Sequence, residues 1–218
     1  MSCTVAIVCN GQFPRLKRPL ELLSSAEHII CCDGALSILL RKGFVPEAVI
    51  GDMDSVSMRD LEQFHGEVVY CPDQETNDQT KALDYVLKTW PDASDIWILG
   101  ATGKSEAHTI GNLSLLMEYE KKFDFYGHGT SVKIVSDYCE AFAVFSRFIR
   151  FPVTPGQKVS IFSPDNTLQM SSQGLYWHTD QVIFDNWWKA TLNRASSDVV
   201  TLTLNQPAPV LILLDPVK

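Results

Sequence analysis

Ala48-Val49-Ile50-Gly51-Asp52-Met53-Asp54-Ser55 joins a short apolar run to a tight turn that carries two carboxylates and a hydroxyl. Such a run reads as a buried strand, and its abrupt end places the polar groups at the strand's C-terminal tip. Aspartates spaced i, i+2 in a bend aim oxygens at one hard ion, and an oxygen-rich site with open positions suits Mg²⁺ carrying a phosphate substrate. Taken alone, these five turn residues favour the plainer reading of a solvated acidic loop, since acidic turns are common. The flanking chain decides between these readings.

Upstream, Val5-Ala6-Ile7-Val8-Cys9 is a continuous apolar run ending at Asn10-Gly11, the pattern of a strand buried on both faces. His28-Ile29-Ile30-Cys31-Cys32 is a second and ends at Asp33-Gly34; Ala35, Ile38 and Leu39 then recur at helical spacing until Gly43. Downstream, Glu67-Val68-Val69-Tyr70-Cys71 runs into Pro72-Asp73-Gln74-Glu75-Thr76-Asn77-Asp78. A helix follows over residues 78–87, with Asn77 as its N-cap, Asp78 in its first turn and an apolar stripe of Ala82, Leu83, Val86 and Leu87. Asp95-Ile96-Trp97-Ile98-Leu99 is a fifth strand, followed by Gly100-Ala101-Thr102-Gly103 and a helix whose expected buried face is Ile110, Leu113, Leu116 and Met117.

Strand, turn, helix thus repeats throughout, which predicts a three-layer α/β domain of Rossmann-like form with a largely parallel sheet. Asn10-Gly11, Asp33-Gly34, Asp52/Asp54, the 73–78 segment and the Gly100 turn all follow strand C-termini, the edge along which open α/β sheets bind ligands. Five strands delivering aspartates and glycines to one rim favour a metal-bridged nucleotide, with backbone N–H groups and helix N-termini receiving phosphate oxygens.

After Phe125-Tyr126-Gly127-His128-Gly129 the texture changes. Short β-branched or aromatic runs at 132–135, 141–145, 147–151, 158–162, 199–204 and 210–214 are punctuated by Pro152, Pro155-Gly156, Pro164-Asp165-Asn166 and Gln206-Pro207. This predicts an all-β sandwich or partial barrel, the sandwich being preferred, and hence an α/β domain over residues 1–129 and a β domain over 130–218.

The net charge of -8 disfavours nucleic acid, whose binding depends on Lys and Arg neutralising phosphates. No apolar run approaches a membrane span, and the N-terminal run is too brief for a signal peptide. Six cysteines without a C-x-x-C pair, mostly in strand-like contexts, read as small buried hydrophobes of a reduced, cytoplasmic protein.

In order and spacing, Asp33-Gly34-Ala35, Gly51-Asp52-Met53-Asp54-Ser55, Asp73-Gln74-Glu75-Thr76-Asn77-Asp78-Gln79-Thr80-Lys81, Gly100-Ala101-Thr102-Gly103 with His108 and Asn112, and Gly174-Leu175-Tyr176-Trp177 resemble the thiamine pyrophosphokinase (thiamine diphosphokinase) family. The resemblance implies transfer of a pyrophosphoryl group from ATP to the thiamine hydroxyl, giving thiamine diphosphate and AMP, with Mg²⁺ required. It also implies a homodimer, each thiamine lying between the α/β domain of one subunit and the β domain of the other. Carried over by motif, Asp52, Asp54 and Asp78 are the catalytic and metal-holding carboxylates. Asp33, Gln74, Asn77, Gly100, Thr102, Gly103, Lys104, His108 and Asn112 fall on the ATP side; Asp78, Trp177, Thr191 and Asn193 fall on the thiamine side. An aromatic face at Trp177 suits a thiazolium cation.

Plainer roles compete at several of these positions. Asp33 can cap the helix that follows it, Lys81 reads as solvated, and His108 and Asn112 can be ordinary surface residues of one helix face. The family pattern G-x-R-x-D-H reads Gly103-Lys104-Ser105-Glu106-Ala107-His108 here, so an arginine and an aspartate are missing and Lys104 remains as a point charge. Asn77 replaces a threonine, and Leu192-Asn193-Arg194 stands for an S-N-E-like segment. Two alternatives follow: a catalytically impaired thiamine or nucleotide sensor on the same scaffold, and a nucleotide-sugar transferase using Asp52-Met53-Asp54 as a D-x-D site.

Overall fold

The computed structural model describes residues 3–217. The chain folds into two compact units, the first holding the chain up to Asn112 together with Thr130–Asp137. In that unit β1 (Cys3–Val8), β2 (His28–Cys32), β3 (Ala48–Gly51), β4 (Glu67–Tyr70), β5 (Ala93–Leu99) and β6 (Ser131–Val135) form a sheet in the order β6-β5-β1-β2-β3-β4. Every pairing is parallel, with Val5 of β1 in register with both His28 of β2 and Ile96 of β5. A wholly parallel sheet needs cover on both faces, and the strand composition reflects it. Ala6, Val8, Cys31, Val49, Leu99 and Val135 pack against Leu22 and Leu23 of α1 (Lys17–Ser25) and Leu36 and Leu39 of α2 (Ala35–Arg41). Between β3 and β4 runs α3 (Met58–Gln63). The opposite face carries α4 (Asp78–Thr89), which buries Ala82, Leu83 and Val86.

Two readings change in this unit. Residues 132–135, grouped by sequence with the β-rich half, form the sixth parallel strand beside β5; a short, buried apolar run looks the same in either kind of sheet. Ile110 is half-exposed, and the buried face of α5 (Glu106–Phe123) is built by Leu116, Met117, Tyr119 and Glu120. Ala107, His108, Gly111 and Asn112 in the N-terminal half of α5 line the cleft described below. Among the described residues no helix is long and apolar enough to cross a membrane. All six cysteines are free thiols.

The second unit holds residues 113–129, with the short α6 (Phe125–His128), and residues from Tyr138 onward. Its strands are β7 (Glu140–Pro152), β8 (Lys158–Phe162), β9 (Met170–Gln173), β10 (Asn193–Arg194) and β11 (Val199–Leu214), all paired antiparallel. The runs at 141–145 and 147–151 are one strand, as are those at 199–204 and 210–214. A bulge between Thr203 and Ala208 absorbs Gln206-Pro207 without breaking β11, since a proline in a bulge owes no ladder hydrogen bond. Arg147 closes it by donating from Nε to Leu204 O at 3.3 Å. Beyond the bulge β11 changes partner, from β9 along its first half to β8 along its second. Val200 and Leu202 from one half and Val210 and Ile212 from the other enter a single core, which makes the unit a β-sandwich.

Candidate active site

The C-terminal edge of the parallel sheet opens into a cleft of about 630 Å³, within the size range of small-molecule sites. Asp33, Asp52, Asp54, Asp78, Gln74, Asn77, Lys81, Lys104, His108 and Asn112 all line it, so turns well separated along the chain converge there, as the strand order requires.

Asp33 leaves β2 in a left-handed conformation, φ 37°, which aspartate tolerates better than most residues, and its N–H donates to Ile50 O at 2.9 Å. Its carboxylate is buried. Oδ2 accepts from Ser55 N at 3.2 Å, whereas Oδ1 is enclosed without a hydrogen-bond partner. Gly51 makes this approach possible: a Cβ there would sit 3.0 Å from the Asp33 Cβ and 3.4 Å from Asp78 Oδ1. Asp52 accepts from Asp54 N at 3.3 Å and from Gln74 Nε2 at 3.0 Å, and Asp54 accepts from Ser55 Oγ at 2.8 Å. Carboxylate oxygens of Asp33, Asp52 and Asp54 lie within 4.8 Å of one another. Burial pushes the Asp33 carboxyl up to about 6 against the lowering effect of the Ser55 N–H, and the neighbouring Asp54 and Asp78 add to the rise. The Gln74 amide and the Asp54 N–H hold Asp52 below the usual carboxylate range.

Three clustered carboxylates, one of which also keeps a buried oxygen without a donor, are a donor set fit for a hard divalent cation. The set differs by one residue from the expected Asp52, Asp54 and Asp78. Asp78 lines the same cleft, but its Oδ1 lies 3.4 Å from Lys81 Nζ. Lys81 itself is nearly buried, with Nζ donating to Cys71 O at 3.0 Å, so the solvated reading of this lysine is corrected. The spacing of Lys81 three residues after Asp78 on a helix was the available signal.

Asn77 caps α4 by accepting from Thr80 N at 3.0 Å, and its Nδ2 donates to Asn112 Oδ1 at 2.9 Å. Asn112 in turn donates to Ala101 O at 2.8 Å. Both asparagines therefore spend their amides holding the 73–78 and 100–103 turns together. Gly11 N donates to Gly100 O at 2.6 Å, an approach that leaves no room for a Cβ at Gly11. Thr102 O accepts from Gln12 N at 2.7 Å, and Lys104 Nζ reaches Asn10 Oδ1 at 3.1 Å. Gly103 turns the chain at φ 91° and stands outside the lining. His108 is exposed and lines the cleft. Ser105, read from sequence only as a missing arginine, has a structural role of its own, since its Oγ accepts from His108 N at 3.3 Å and caps α5.

Two family models match the chain, "Thiamin pyrophosphokinase, catalytic domain" over residues 20–126 and "Thiamin pyrophosphokinase, substrate-binding domain" over residues 141–210. Together they cover most of it. The chain belongs to the thiamin pyrophosphokinase family.

The acidic trio, Asp78 and Lys81 all fall in the catalytic-domain match of this thiamin pyrophosphokinase family member. Thiamin pyrophosphokinase 1 of Caenorhabditis elegans is 31% identical over 128 residues, 54% of this chain and 52% of the relative. Thiamine pyrophosphokinase of Bacillus subtilis is 31% identical over 137 residues, 60% of this chain and 58% of the relative. The match thus spans a little over half the length of these curated relatives. A thiamin pyrophosphokinase family protein from Enterococcus faecalis superposes with a TM-score of 0.78 at 16% identity, covering 99% of this chain and 100% of that one. The thiamin pyrophosphokinase from Geobacillus thermodenitrificans gives 0.76 at 18%, covering 98% of each.

Trp177, Thr191 and Asn193 lie in the substrate-binding match. Trp177 is exposed, as are Trp187 and Trp188. Asn193 is buried, and its amide is consumed by the main chain of Trp177: Nδ2 donates to Trp177 O at 2.7 Å while Oδ1 accepts from Trp177 N at 3.2 Å. Thr191 Oγ1 donates to Trp188 O at 2.8 Å. These two side chains therefore hold the main chain of tryptophans in place.

Proposed function

We propose that the protein transfers a pyrophosphoryl group from ATP to the hydroxyl of thiamine, giving thiamine diphosphate and AMP with Mg²⁺ as the cation. The observation that carries this reading is the convergence of Asp33, Asp52 and Asp54, with a buried oxygen of Asp33 lacking any donor, inside the stretch matched by the catalytic-domain model. In the reaction the thiamine oxygen bonds to the β-phosphorus, the bond from that phosphorus to the α,β-bridging oxygen breaks, and the hydroxyl proton passes to a carboxylate of the cleft. Mg²⁺, when bound, supplies charge neutralisation and orientation for the phosphate oxygens. Asp33, Asp52 and Asp54 would hold it, while Lys81 and Lys104 place positive charge on the same cleft. The catalytic part of the protein is mostly positioning, which suits a rim built from rigid turns. Trp177 presents an exposed aromatic face, held by Asn193, for the thiazolium cation. We assign a homodimer in the cytoplasm, each thiamine lying between the α/β domain of one subunit and the β domain of the other. Exposed Tyr176, Trp177, Trp187 and Trp188 are the side chains that suit such an interface.

Purified protein incubated with ATP, Mg²⁺ and thiamine should form AMP and thiamine diphosphate in equal amounts. Ser105 and Ala107, where the family pattern has arginine and aspartate, favour one second reading, an impaired thiamine or nucleotide sensor. Thiamine binding without either product would establish the sensor and overturn the kinase. Consumption of a sugar nucleotide instead would point to the D-x-D transferase. Trp177→Ala should raise KM for thiamine about tenfold with little change in kcat, the size of one desolvated cation–π contact.

A further inference from the structure

At the N-terminal edge of the parallel sheet, on the rim opposite the cleft, Cys3 begins β1, Glu27 directly precedes β2 and His28 begins it. One ligand atom from each, a thiol sulfur, a carboxylate oxygen and an imidazole nitrogen, lie within 4.8 Å of one another. This mixture is unlike the all-carboxylate group in the cleft. A thiolate and an imidazole with one carboxylate select a borderline divalent ion such as Zn²⁺ over Mg²⁺ or Ca²⁺.

The surroundings hold these side chains in place. The Glu27 carboxylate takes Thr4 N at 3.4 Å, and Glu27 N donates to Thr4 Oγ1 at 3.2 Å. The His28 ring is stacked on Trp90, centroids 4.3 Å apart at 24°, and its Nδ1 lies 2.8 Å from Glu47 Oε1. A carboxylate on one ring nitrogen is the arrangement that orients the ring of metal-bound histidines. The cluster is acidic as well, with Glu27 beside Cys3 and Glu47 beside His28. A divalent cation bound there would take Cys3 as the thiolate, the thiol proton passing to solvent.

We propose that Cys3, Glu27 and His28 form a zinc-class metal site, with Glu47 orienting the imidazole and solvent completing the shell. The site ties the first strand to the second at the edge remote from the cleft, so its role is structural.

The test uses the full chain, stripped of metal and titrated with Zn²⁺ by calorimetry and with Co²⁺ by absorption. One equivalent of Zn²⁺ beyond any taken by the acidic cleft should bind per chain, Co²⁺ should give a thiolate charge-transfer band, and Glu47→Gln should weaken Zn²⁺ at this site about tenfold. Cys3→Ser should abolish the band, and His28→Gln and Glu27→Gln should each weaken it, while Asp52→Asn leaves the band unchanged. The absence of a Co²⁺–thiolate band in the parent overturns the assignment, as does Zn²⁺ binding that survives both Cys3→Ser and Glu27→Gln unaltered.

Discussion

Asp33 combines two demands that conflict in a protein without a bound cation. Its position at φ 37°, buried, with one oxygen lacking a donor, costs stability at neutral pH, where burial opposes ionisation. Asparagine shares the tolerance for left-handed backbone and can still accept from Ser55 N. Asp33→Asn should therefore melt at the same or a higher temperature than the parent in metal-free buffer, while AMP formation falls by about a hundredfold or more, the loss expected for one charge-assisted contact. Scanning calorimetry and a product assay read the two effects separately. Ser105 is the second informative residue. Restoring the family pattern with Ser105→Arg and Ala107→Asp should raise kcat/KM for ATP, yet it removes the Ser105 cap on α5 and should cost about 1 kcal/mol of stability in urea titration. Unchanged kinetics would show that neither position acts on ATP.

Among the elements, α4 links fold to site most directly. Its N-cap Asn77 also ties the 73–78 turn to Asn112, and its first turn carries Asp78 and Lys81 to the cleft. Asn77→Ala should destabilise the protein by about 1 kcal/mol through the lost cap. It should also raise KM for ATP, because the turn that carries Gln74 loses its tie to α5. The β1 and β5 turns interlock by close backbone approach: Gly100 at φ 65° would place a Cβ 2.5 Å from Cys9 O. Gly100→Ala should cost about 1–3 kcal/mol, since neither the dihedral nor the neighbour can give way cheaply. Elements of this kind are largely legible in the sequence. β2, α2 and β8 run as their apolar patterns predict, because short buried strands and helices with one apolar face are local in origin. The two long strands of the sandwich are not: Gln206-Pro207 looks like a turn until β7 is seen pairing on both sides of it.

For the molecule as a whole, Glu120 sets a pH dependence. It is buried on α5, accepts from Tyr126 N at 3.0 Å, and burial raises its carboxyl above the ordinary 4.5 despite that bond. The folded chain thus binds this proton more tightly than the unfolded one. The stability it contributes is fully present below 4.5 and is lost as pH rises through the higher folded value. Glu120→Gln should unfold at higher temperature than the parent at neutral pH, and the difference should close as the pH is lowered towards 4.5. Melting curves across that range decide it; a constant offset would assign the effect to packing alone.

Periodicity and turn chemistry by themselves determined the parallel α/β architecture, the β-rich second half and the rim that gathers Asp33, Asp52, Asp54 and Asp78, since each follows from which residues alternate, recur or end a strand. Only the tertiary structure decided that Asp33 rather than Asp78 joins the acidic trio, that the nearly buried Lys81 donates to Cys71 O, and that Asn193 spends its amide on Trp177. Those outcomes depend on which turn leans on which, and a neighbour distant in the chain can claim a hydrogen bond that no local pattern assigns.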